Sequence, residues 1–332
     1  PLIKANFNLA DLRLAEGETS HRAGASKETA PSFIAANNDT INWRTVPIHF
    51  DGLQTINANI SLLIQKLFIK GLPLHNAKLN LLLENGIFTL HMPVTSLEEG
   101  QLSFNAKIDS NYRPTKFFAD LKLTKVQAKT LLQSLAGIER FSGITEMNLH
   151  LNSMGNSEKT IVEHLSGKGS LIVKNGAFRG INLSSLTPDF VSLMQRLRQT
   201  GNESTPFDTL LANFVIKNGV IENPDLLIRS PAISIAGQGK VNLPASQISY
   251  HLMPKHTSDL SPLMNGTLMV VEGPLLNPGI KVDLEKLLQQ LPKKMPEQWK
   301  KLPKNGKELK GVLKDEMQHQ LRQLLPLPAK RF

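Results

Sequence analysis

Apolar and polar residues alternate with a period of two along much of this chain, beginning with LIKANFNLADLRL at residues 2–14 and returning in LSFNAKI (102–108) and FADLKL (118–123). Successive side chains of a strand point to opposite faces, so the pattern predicts a sheet with one face buried or covered. Strands are predicted at Val46–Phe50, Ile56–Leu63, Leu67–Ile69, Gln101–Ile108, Lys116–Leu123 and Gly143–Leu151. Others are predicted at Gly169–Val173, Leu210–Ile216, Ile233–Val241, Ile248–Met253 and Gly266–Val271. A phrase of apolar run, charge, Asn-Gly and renewed apolar residues recurs as LNLLLENGIFTLHM (79–92), LIVKNGAFRGINL (171–183) and FVIKNGVI (214–221). Asn-Gly accepts positive φ at both central positions of a type I′ turn, so each copy predicts a tight antiparallel hairpin.

Helical spacing replaces alternation in four places. In Val126–Phe141, Leu131, Leu132, Leu135 and Ile138 share a face; near Ser157, Ile161, Val162 and Leu165 do. Thr187-Pro188 opens a third stretch with Phe190, Val191, Met194 and Leu197 as its stripe and Gly201 as its stop. After Asp283 come Leu284, Leu287, Leu288 and Leu291, then Leu309, Val312, Leu313, Met317, Leu321 and Leu324 with Lys307, Lys310, Lys314 and Arg322 on other faces. Residues 15–40 are small, polar and without period, which reads as a linker. The expected organisation is therefore 1–41, the end of an upstream strand plus a polar linker; 42–283, a β-rich domain; and 284–332, a basic amphipathic helical tail. Because Pro1 already stands in an alternating run, we expect the chain to continue from an upstream segment. Its longest uncharged runs, such as Gly52–Gln65, reach about 14 residues, short of the ~20 needed to span a bilayer.

Composition narrows the function. Hydrophobic residues at 40% and charged residues at 20% are ordinary globular usage, and the absence of cysteine removes disulfides, thiolate nucleophiles and cysteine metal sites. The net charge of +10 is unevenly placed: Lys281–Phe332 holds 13 Lys and Arg against 6 Asp and Glu, a net of +7. Such a tail serves as a solvated helical face, or it attracts anionic membrane surfaces or acidic envelope proteins. Nucleic acid is not expected, since aromatics are 5% and the basic region lacks clustered Arg.

No constellation for chemistry stands out, so no enzyme, metal or cofactor is expected. HExxH, GxSxG and GxxxxGK[ST] are missing from the sequence. Gly237-Gln238-Gly239-Lys240 sits between strand-like runs without a following helix, and reads as glycines at a strand bend or bulge. His91, His150 and His251 read as exposed strand residues. Ser184, Ser185 and Asp189 read as helix-capping residues, and the adjacent Glu98 and Glu99 point to opposite faces.

The order of segments resembles the C-terminal region of the AsmA family of Gram-negative envelope proteins. The segments are GLPLHNAKLNLLLENGIFTL, EEGQLSFNAKID, KVQAKTLLQSLAGIERFSGITEMNLHLNSMGNS, GKGSLIVKNGAFRGINL and SPAISIAGQGKVNL, closed by GTLMVVEGPLLNPGIKVD. The resemblance spans about Trp43–Asp283. It implies a periplasmic body anchored to the inner membrane by an N-terminal segment, a role in outer-membrane biogenesis through phospholipid movement, and a curved antiparallel sheet forming an apolar groove capped by short helices. Under that reading the groove would be lined by Leu79, Leu81, Leu83, Leu171, Val173, Phe214, Ile216, Ile233, Ile235, Leu268 and Val270, with phospholipid acyl chains as partner. The same side chains would serve equally as core between sheet and helices, and a scaffold that carries no lipid is the alternative function.

Overall fold

The computed structural model describes residues 2–14, 41–136, 139, 141–179, 204–231, 233–256, 269–275 and 278–282. They form one open, curved sheet of fourteen strands in sequence order. The strands are β1 Leu2–Leu14, β2 Asn57–Ile69, β3 Leu72–Glu84, β4 Ile87–Leu97, β5 Gly100–Asp109, β6 Lys116–Gln127 and β7 Phe141–Met154. They continue as β8 Ser166–Arg179, β9 Ser204–Lys217, β10 Val220–Arg229, β11 Ile233–Asn242, β12 Gln247–His256, β13 Met269–Pro274 and β14 Gly279–Val282. β1 pairs in parallel with β2, and every later pair is antiparallel. The opening segment, expected as the end of an upstream strand outside the 42–283 domain, is the first strand of this same sheet. The 284–332 tail and the Thr187-Pro188 helix lie outside the described residues.

Asn-Gly performs two different jobs here. Asn85-Gly86 (φ 50° and 77°) and Asn218-Gly219 (φ 49° and 72°) hold positive φ at both central residues and close β3–β4 and β9–β10. Lys70-Gly71 (φ 49° and 83°) closes β2–β3 in the same way with no Asn. The third copy is not a hairpin: Asn175 (φ 50°) is an irregularity inside β8, which runs on through Gly176 to Arg179. A Cβ on Gly176 would lie 2.1 Å from Phe207 Cζ, so this glycine makes room for a ring rather than for a turn.

Irregularities of this kind recur strand after strand and shape the sheet. On one face the inward parity changes between Ile64 and Leu67 in β2, Ala77 and Leu74 in β3, Met92 and Thr95 in β4, Leu123 and Val126 in β6, and Val173 and Gly176 in β8, every one buried. Register shifts between Met92/Thr95 and Leu123/Val126 mark bulges, and Asn76 and Lys125 hold φ of 53° and 57° at equivalent places. A bulge bends its strand and sharpens its twist. Placed on neighbouring strands, bulges fold the sheet along the strand order into a trough, and the extra residue restores the apolar side chains to the inner face beyond the bend. The core sits at this bend, centred on Ile64, Leu67, Leu74, Ala77 and Val126.

Two short helices and an irregular segment edge the trough. The periodic stretch Val126–Phe141 forms α1, Ala128–Ala136, whose Leu131 packs on the bend core and whose Thr130 hydroxyl donates to Glu98 Oε2 at 3.0 Å. α2, Glu158–Glu163, is the short helix expected near Ser157; Ser157 caps it and Thr160 completes a capping box. Val46–Phe50 is not a strand. Residues 41–50 run as a strap along the opposite lip from α1, past the turns that join the strands there. Ile41 N–H donates to Ser246 Oγ, the Trp43 indole to Leu243 O and Ile48 N–H to Asn156 O. Pro47 interrupts the row of donors that a strand would need.

Candidate functional site

One row of paired residues crosses thirteen strands on the inner face of the trough. It reads Ala5, Ile60, Leu81, Leu90, Ala106, Ala119, Leu151, Gly167, Ile216, Ile221, Val241, Ile248 and Gly273. The row one residue away in every strand faces outward: Asn6, Ser61, Asn80, His91, Asn105, Asp120, His150, Lys168, Val215, Glu222, Lys240, Ser249 and Glu272. Alternation alone makes these two surfaces, and among the described residues no Asp, Glu, Lys or Arg falls on the inner one. At about 4.8 Å per strand the inner row is about 60 Å long, twice the ~30 Å hydrocarbon thickness of a bilayer.

The wall of the trough is apolar without being dry. Leu62, Leu79, Leu81, Phe88, Leu90, Phe104, Leu121, Leu149, Leu171 and Phe214 are all partly exposed, whereas the bend residues Ile64, Leu67 and Leu74 are at 0–1%. Aromatic rings thin the far part of the wall by lying over glycines of the neighbouring strand. Phe214 covers Gly169, Phe207 covers Gly176 and Tyr250 covers Gly239, each where a Cβ would come within 2.4 Å of the ring. The Gly237-Gln238-Gly239-Lys240 run is therefore regular strand, its glycines leaving room for Leu252 and Tyr250 rather than forming a bulge. Burial among these groups pushes the Tyr250 hydroxyl pKa up.

The sequence-derived lining residues separate into three groups. Leu79, Leu81, Leu171 and Phe214 stand on the partly exposed wall, while Leu83, Val173, Ile216 and Ile235 face the same way but are buried. Val270 pairs with His251, whose other partner is Gln238, and this register places it on the outer, polar face; Val271 faces inward instead. For Ile233 the backbone alone is described, and Leu268, Lys307, Lys310, Lys314 and Arg322 lie outside the described residues. Sequence reading missed the wall residues Leu62, Leu90, Leu121 and Leu149. Strict alternation with Ser61, His91, Lys122 and His150 was the signal that marked them.

The Asp, Glu, Lys and Arg residues of the strands, with His91 and His150, decorate the outer face. His91 pairs with Asn105, His150 with Asp120, Lys174 with Glu146 at 3.1 Å and Lys240 with Glu222 at 2.7 Å. The Lys240 hydrogen bond and charge hold the Glu222 carboxyl below its usual range. Glu98 takes the Thr130 hydroxyl bond, and Ser184, Ser185 and Asp189 lie outside the described residues. Among the described residues there is no group of three or more His, Asp or Glu arranged to hold a metal ion, and no helix is long and apolar enough to cross a membrane.

A single open sheet with one uncharged face and one polar face defines an elongated β-groove protein. The model of the AsmA family matches residues 2–226, more than half of the chain, and the chain belongs to the AsmA family. The match takes in β1 and ends in β10, so it starts earlier than the sequence resemblance and stops short of β11–β14. Neither curated proteins nor solved structures give a match. Family membership points to the cell envelope and to outer-membrane biogenesis.

Proposed function

We propose that this is a non-enzymatic envelope protein that binds phospholipid acyl chains along the inner wall of its trough and guides them between the inner and outer membranes. The supporting observation is the uncharged row from Ala5 to Gly273, flanked by wall side chains that the protein's own packing leaves partly exposed. Acyl chains need apolar area rather than directed hydrogen bonds, and each buried methylene contributes about 0.8 kcal/mol. A surface that recognises area leaves no catalytic motif, only alternation. The outer polar row keeps the opposite face in water, so lipid is confined to one side. The periplasm, with an inner-membrane anchor, is the setting this activity requires.

Native mass spectrometry of protein purified from a Gram-negative envelope, followed by lipid extraction, tests the reading. Phospholipid is expected in stoichiometric amount, and it is expected to be lost from folded Leu81→Asp and Leu121→Asp variants. A folded wild-type protein that carries no lipid would overturn the proposal in favour of an envelope scaffold.

A further inference from the structure

The strap lip carries a group of exposed apolar side chains that the trough does not use. Val46 is 69% exposed, Tyr112 48%, Ile48 41%, Met154 40% and Ile56 38%. Ile48, Met154 and Tyr112 belong to one place, with Val46 two residues before Ile48 on the strap. Ile48 N–H donates to Asn156 O, two residues from Met154; Met154 pairs with Lys116; and the Lys116 ammonium lies 3.5 Å from the centre of the Tyr112 ring. Phe50 of the strap meets Phe117 edge-on at 5.4 Å, and Phe117 pairs with Ile108 on the inner face, so the lip is continuous with the wall.

Charge decides what would cover this patch. The strap-side carboxylates Asp51 and Glu158 are already engaged, by Arg113 at 3.2 Å and Arg44 at 3.5 Å. Lys116 has the Tyr112 ring as its neighbour and no carboxylate in salt-bridge range among the described residues. Aliphatic tips beside a tyrosine and a lysine ammonium match the boundary between acyl chains and anionic headgroups. We infer that the strap lip docks on an anionic phospholipid bilayer surface, with Val46 and Ile48 entering the boundary and Lys116 meeting headgroups. This rests on the lipid-carrying reading of the wall, and gives it a place where lipid enters or leaves sideways over the lip.

Because the chain has no cysteine, one introduced cysteine carries one label. An environment-sensitive fluorophore is placed on full-length Val46→Cys, Ile48→Cys and Val94→Cys, the last 65% exposed in β4 and away from the strap. With vesicles of phosphatidylglycerol and phosphatidylethanolamine, labels at 46 and 48 are expected to brighten several-fold and to be quenched by a bilayer-embedded quencher, while 94 stays in water. Lys116→Glu is expected to reduce the response several-fold. Labels at 46 and 48 that stay in water while the vesicles bind would overturn the inference, assign binding to the basic tail and leave the patch to a protein partner. Equal brightening at 94 would overturn it too. Lipid retained in native mass spectra with silent labels sinks the lip alone, and brightening with a lipid-free trough sinks the wall reading alone.

Discussion

The bend and the wall of the trough are made of the same residue types and face the same way, yet they end in different states. At the bend, Ile64, Leu67, Leu74, Ala77 and Val126 are at 0–1% exposure, covered by one another and by Leu131 of α1. On the wall, Leu79, Leu81, Leu121 and Leu171 keep part of their surface open. The difference teaches that apolar identity does not distinguish a closed core from an open wall. The folding line does: where bulges bring neighbouring side chains together they cover one another, and where strands run straight part of their apolar surface stays open.

Truncation should separate the two places most sharply. Leu67→Ala or Leu74→Ala at the bend is expected to cost about 2–5 kcal/mol in denaturant unfolding, because a closed site leaves a cavity. Leu81→Ala and Leu121→Ala on the wall are expected to cost less than half as much in the same measurement, and equal costs would erase the distinction. Next in size, Gly176→Ala puts a Cβ against the Phe207 ring and is expected to cost about 1–3 kcal/mol. The companion change Phe207→Leu should recover part of that loss in a double-mutant comparison. Smaller in stability but decisive for function, Leu81→Asp should lose bound lipid while its neighbour Asn80→Asp, on the outer row, keeps it. The read-out is the lipid to protein ratio after extraction.

The smallest expected effect lies at the bulge of β10. Burial pushes the Asp225 carboxyl up, but hydrogen bonds from Asn213 and Asn223 outweigh it and hold the pKa below the ordinary value. A depressed folded pKa adds stability that is fully present above the unfolded value of about 3.9 and is lost as pH falls through the folded one. Exposure of this group keeps the effect below about 1 kcal/mol. Asp225→Asn should therefore lower the unfolding midpoint slightly at pH 7 and make no difference near pH 2.

Alternation made most strands legible, because period two survives wherever a strand is straight. It failed at bulges. Ile56–Leu63 and Leu67–Ile69 read as two strands since Gln65 and Lys66 interrupt the apolar parity, yet β2 runs through both. β10 is legible only as the short arm after Asn218-Gly219, since Asn223, Pro224 and Asp225 form the bulge that tilts Leu226 and Ile228 inward. The same dipeptide closes two hairpins and merely kinks β8, where Gly176 lies against the Phe207 ring of β9. Val270 sits in an apolar run, but its partner His251 sets the register that turns it to the outer face. Wall and self-packed residues are not separable in sequence, since both are Leu, Ile, Val and Phe at alternate positions.

From β2 onward each strand contacts its sequence neighbours, so this part of the sheet can grow hairpin by hairpin with small loops to close. The strap obeys the opposite logic. Its Ile41 is held by Ser246, 205 positions away, and its Trp43 by Leu243, 200 positions away. Those bonds cannot form until the β11–β12 turn exists, so the strap seats late, and its seating couples the far strands to β2. Without it the sheet would melt in sections like a repeat array; with it, opening one part is felt by the whole.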